Sequence, residues 1–115
     1  MPSFEKSPPE LVERFDSFVT RFDGVERRKM FGYPALFLGG NLVCGLYERS
    51  WMVRLPADAM DEILAIPGAE PFSPMAGRTM KGYAVLPPAL VADDAELERW
   101  VRRAIDHVAT LPAKP

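Results

Sequence analysis

Residues 28–56 read "RKMFGYPALFLGGNLVCGLYERSWMVRLP", and whether this stretch is a ligand pocket or a sheet decides the fold. Its aromatic, glycine and sulfur-bearing residues are dense enough to suggest chemistry. Their spacing points to a sheet instead. Ala35–Leu38 and Leu42–Tyr47 are apolar runs of strand length. Gly39-Gly40-Asn41 joins them, and tight hairpin turns call for the positive φ that glycine and asparagine accept. A second turn, Glu48-Arg49-Ser50, leads into Trp51-Met52-Val53-Arg54-Leu55, with Trp51, Val53 and Leu55 on one face. Upstream, Glu26–Phe31 reads as a short strand that Gly32-Tyr33-Pro34 breaks. Loops this short join only antiparallel neighbours, because parallel strands need long crossovers. The stretch is a meander.

Working outward, Ser7-Pro8-Pro9-Glu10 predicts a helix start with a capping box and proline in the first turn. Leu11, Val12, Phe15, Phe18, Val19 and Phe22 then form an apolar stripe, which Asp23-Gly24 stops. Downstream of the meander, Pro56 and Asp58 open a short helix with Met60, Ile63 and Leu64 as its apolar side, and Pro67-Gly68 ends it. Residues 69–81 are irregular, with short strand pieces, and Met80–Leu86 holds a last strand. Ala89–Ala92 forms one turn. Asp93-Asp94 with Glu96 then caps a final helix whose stripe is Leu97, Trp100, Val101, Ala104, Ile105, Val108 and Leu111. The predicted fold is α+β: a two-layer sandwich of an antiparallel sheet with helices on one face, in the order α-β(3-4)-α-β(1-2)-α. Single-striped helices cover one sheet face, so the other is expected to lie open.

A chain of 115 residues is expected to form one domain spanning 1–115, since domains usually hold about 100–150 residues. Hydrophobic content of 48% and charged content of 26% suit a packed core rather than disorder. No segment approaches the roughly 20 apolar residues of a membrane span. The N-terminus does not read as a signal peptide. Cys44 is the sole cysteine, so no internal disulfide forms, and a reducing, cytoplasmic setting is expected. A net charge of −2 excludes a globally basic nucleic-acid binder but not a local basic patch.

Catalytic patterns fail on context. There is no nucleophile elbow, and Gly39-Gly40-Asn41 lies between strands rather than before a helix, so it cannot cradle phosphate. One cysteine and one histidine, His107, match no zinc spacing. Mid-strand Cys44 reads as a buried small hydrophobe, His107 as a helix-surface residue, and Asp58, Asp61 and Glu62 as macrodipole partners. Met30, Met52, Met75 and Met80 fall in or beside the sheet, where an adaptable binding surface competes with plain gap filling. Met60, on a helix stripe, reads as gap filler. The basic set Arg27, Arg28, Lys29, Arg54, Arg78 and Lys81, with Tyr33 and Tyr83 nearby, is the candidate binding surface. It would take phosphates, single-stranded nucleic acid or an acidic protein. The competing reading is a charge-decorated sheet that resists edge-to-edge aggregation.

The series "RKMFGYPALFLGGNLVCGLY", "WMVRLP" and "PGAEPFSPMAGRTMKGYAVLPP", in this order and at these intervals, resembles the N-terminal domain of TfoX-like proteins, also called Sxy. The match runs from about Val25 to the last helix. The resemblance implies an α-β(3)-α-β(2)-α sandwich and a link to regulators of natural competence that act beside a cyclic-AMP-responsive transcription activator. It implies no enzymatic activity and no cofactor, and it supplies no numbered site. The full regulators carry a second, DNA-binding-like domain, and the expectation here is a stand-alone N-terminal domain. The expectation is therefore a non-enzymatic regulatory domain acting through a protein partner or a homodimer. The alternative is a small-ligand or nucleic-acid binder using the basic set.

Overall fold

Four strands follow one another between Glu26 and Arg54, joined by turns of two residues each: β1 (Glu26–Met30), β2 (Tyr33–Leu38), β3 (Asn41–Tyr47) and β4 (Ser50–Arg54). The computed structural model describes residues 5–74 and 77–114. Gly39 and Gly40 both take positive φ, 58° and 80°, as the hairpin reading required. The first turn is tighter than expected. It uses Phe31 and Gly32 alone, at φ 56° and 83°, and β2 already begins at Tyr33. Pro34 is tolerated because it pairs with Lys29 of β1, while the ladder to β3 starts one residue later, at Ala35 opposite Gly45.

The helix α1 (Pro9–Val19) precedes the meander and α2 (Ala57–Leu64) follows it. Then come β5 (Glu70–Pro71), β6 (Tyr83–Val85), α3 (Pro88–Ala92) and α4 (Asp94–Ala109). The six-stranded sheet is antiparallel, in the order β1-β2-β3-β4-β6-β5. The fold is α+β, as the sequence predicted. The capping box at Ser7 does not form. Pro8 is the N-cap, and Ser7 Oγ donates to the Glu48 carbonyl at 2.6 Å instead. Asp93 does cap α4, accepting the Glu96 N–H at 3.2 Å. In α2 the buried residues are Ala59 and Ile63. Leu64, expected inside, is exposed.

One face of the sheet carries Cys44, Leu46, Trp51, Val53 and Ala84, which oppose one another across β3, β4 and β6. Phe15 and Phe18 of α1 pack on Trp51 there, with ring centroids 5.0 and 5.8 Å away. Leu97, Trp100, Val101, Ala104 and Val108 of α4 are buried in the same core.

The opposite face is not open, contrary to expectation. Tyr33, Ala35, Val43, Tyr47 and Met52 point away from Trp51 by strand alternation, yet all are buried. Two features close this side. The sheet curls, so that Phe72, just past edge strand β5, meets Tyr47 of β3 at 5.3 Å with β4 and β6 between them. Tyr47 also donates to the Pro74 carbonyl at 2.8 Å, and its ring packs against Tyr33 at 5.2 Å. Tyr33 in turn donates to the Glu5 carbonyl. Met52 and Met60 fill gaps in or against the core, while Met75 lies outside the described residues.

Cys44 is fully buried, and burial pushes its thiol up to about 12. Thiolate is the reactive form, so native protein should resist alkylation by iodoacetamide at neutral pH and label fully once unfolded in guanidinium. Stoichiometric labelling of native protein within minutes would contradict that burial.

Candidate interaction surface

Strand alternation decides where the basic residues go. Arg27 and Lys29 share the helix-bearing side of β1, and Arg28 points to the other side. Arg27 Nε donates to Asp16 Oδ1 of α1 at 3.0 Å. Arg27 and Lys29 line a shallow pocket of 360 Å³ with Lys6, Val12, Tyr33 and Pro34. Arg28 donates to Glu26 Oε2 at 2.8 Å and lies over the Phe37 ring at 5.4 Å. That contact raises the Arg28 pKa and lowers that of Glu26, in both cases chiefly through the shared hydrogen bond. Arg54 covers Tyr83 at 5.6 Å. It shares a face with Arg28, but β2 and β3 intervene, a separation of about 14 Å at ordinary strand spacing. Arg78 and Lys81 are exposed on the segment between β5 and β6. The six residues therefore occupy three places, and only Arg27, Arg28 and Lys29 form a contiguous group.

That group occupies the sheet's long free edge. All of Glu26, Arg27, Arg28 and Lys29 are exposed, and Met30 is half-buried. The other edge, β5, is two residues long and contains a proline, which blunts it. Beyond Met30 the chain turns through Phe31, which is 61% exposed. A bulky residue at positive φ is an outlier costing on the order of 1 kcal/mol. Its ring approaches Tyr47 edge-on at 6.3 Å.

A second concavity, of 590 Å³, opens between α1, α3 and the start of β4, lined by Leu11, Arg14, Trp51, Val85, Leu86 and Val91 among others. Arg14 lies on α1 outside the apolar stripe of that helix. Here its Nε donates to the Val91 carbonyl at 2.8 Å, and Nη1 approaches Asp94 at 3.5 Å. Its Nη2 is sequestered without an acceptor among the described residues. Asp94 also receives both Arg21 Nη atoms, at 2.7 and 3.1 Å. The Arg21 hydrogen bond is the main cause holding the Asp94 carboxyl below its ordinary range. A lowered folded pKa gives stability that is present above the unfolded value and lost as pH falls through the folded one. Asp94→Asn should thus flatten the decline in stability as pH falls below about 4, as read by urea midpoints. An unchanged acid slope would show that the contact contributes nothing in solution.

Among the described residues no group of three His, Cys, Asp or Glu side chains could hold a metal, and no helix is long and apolar enough to cross a membrane. With the hairpin meander, the curled sheet and the two flanking long helices established, residues 17–108 match the family described as TfoX N-terminal domain. The chain belongs to the TfoX N-terminal domain family. Comparison with curated proteins and with solved structures gives no match. The TfoX N-terminal domain is not a known enzyme family, and membership points to a regulatory, competence-related domain. The family match begins within α1 and ends within α4, so it includes β1 and the Phe31 turn.

Proposed function

We propose that this TfoX N-terminal domain is a non-enzymatic, cytoplasmic regulatory module that acts on competence-linked transcription through protein–protein contact. The observation that carries the reading is β1, a five-residue edge strand whose outward side no other described strand covers. Exposed strand edges are templates for pairing with another chain. Family membership supplies the regulatory side, and a lone buried cysteine suits a reducing compartment.

Two measurements test the proposal together: sedimentation across protein concentration, and affinity capture from cell extract followed by identification of what is bound. The expected result is a specific protein partner or a homodimer, with oligonucleotide binding no stronger than to a neutral control protein. If instead oligonucleotides bind with an affinity that falls steeply between about 50 and 200 mM salt, and no protein is captured, the domain is a nucleic-acid binder. Arg54 and Tyr83 on their shared face would then be the first residues to examine.

A further inference from the structure

We infer that the β1 edge receives an extended acidic segment of a partner protein as an added strand, with the Phe31 turn as its apolar anchor. The inference rests on the protein-contact reading above and names its partner chemistry. Three observations carry it. First, β1 keeps an unbroken register with β2 over all five residues. Among the described residues the register shift lies between β2 and β3, at Leu36/Phe37, so the free side of β1 is regular along its length.

Second, the charges choose the occupant. Antiparallel pairing of β1 with a second copy about Arg28 would set Arg28 against Arg28 and Arg27 against Lys29, which is repulsive. An acidic strand meets the opposite case. Carboxylates two residues apart would face Arg27 and Lys29 on the helix side, and the one between them would face Arg28. The present partners, Asp16 and Glu26, hold their arginines at exposed sites, where ion pairs contribute little and exchange readily. Lys29 has no partner among the described residues.

Third, Phe31 is held in a conformation that asparagine or glycine would adopt without strain, and the residue stays exposed although its ring edge approaches Tyr47. Strain kept at an exposed aromatic fits a contact made in a complex.

The test uses a fluorescent peptide of sequence Thr-Asp-Glu-Asp-Val-Thr, the same peptide N-methylated at alternate amides, and a lysine-for-acid control. Binding is followed by anisotropy, and backbone amide shifts and exchange by NMR. The expected result is binding of the acidic peptide alone, slowed exchange at outward β1 amides, and loss with the N-methylated peptide. Arg28→Glu/Lys29→Glu should weaken binding at least about tenfold. Phe31→Gly should weaken it several-fold while leaving the fold intact, because it removes the strain with the ring. Equal binding of the N-methylated peptide would show attraction without strand addition and overturn the inference, as would amide changes centred away from β1 or no binding. A protein partner captured equally by wild type and Arg28→Glu/Lys29→Glu would leave the regulatory reading standing and remove this edge as its site.

Discussion

Trp100→Ala is expected to destabilise the fold by about 3–5 kcal/mol, the usual cost of emptying a large aromatic from a core. Trp100 is 1% exposed and lies on the stripe by which α4 meets the sheet, between Leu97 and Ala104. Its outer edge is covered by Arg103 and Arg99, whose guanidinium carbons lie 4.6 and 5.5 Å from the ring. Both arginines are tethered to Glu62 of α2, at 2.9 and 3.1 Å, so alanine would also loosen the covering that joins α4 to α2. For a chain of this size the loss should lower Tm by at least about 10 °C. A melting curve unchanged within error would mean that α4 turns another face to the sheet.

Gly45→Val should be nearly as damaging, for the opposite reason. A Cβ at Gly45 would stand 3.1 Å from the Pro34 carbonyl oxygen, 3.2 Å from Ala35 Cβ and 3.3 Å from Met52 Cε. Two of these neighbours belong to β2, which is hydrogen-bonded to β3 at this register, so they cannot retreat without breaking the ladder. Overpacking of this kind typically costs 1–3 kcal/mol, and the valine methyls add to the crowding at Cβ. Urea denaturation should show a lower midpoint with little change in slope. A wild-type midpoint would mean that the Tyr33–Tyr47–Met52 side is looser than these distances imply.

These two residues also show what the sequence could and could not convey. Trp100 belongs to a regular 3.6-residue stripe, so its burial was legible. Gly45 looked like one more glycine in a strand, and its role depends on what β2 and Met52 place above it. The hairpin at Gly39-Gly40 was legible because its residues match the φ the turn needs. The one at Phe31-Gly32 was expected at Gly32-Tyr33-Pro34, because phenylalanine contradicts that preference. The closed second face depends on Phe72 reaching Tyr47 across two strands, a consequence of sheet curl that no local pattern carries. The Arg14–Asp94 contact joins residues eighty apart, beyond any window of periodicity. For the basic set, part of the answer was present in the sequence. Consecutive strand residues point to opposite sides, so Arg27-Arg28-Lys29 could never lie on one face.

The two-residue turns carry a kinetic consequence. Every strand pairing from β1 to β4 closes a short loop, whereas β4 pairs with β6 between Met52/Val85 and Arg54/Tyr83, and α1 meets the start of α4 where Arg14 approaches Asp94, eighty residues away. Loop closure favours the short connections. The meander 26–54 should therefore form the folding nucleus, with substitutions in its turns slowing folding and those at the α1–α4 contact mainly speeding unfolding. On that order of events the free β1 edge is present before the helices close over the core, and the cations along it guard the nascent sheet against pairing with its own kind.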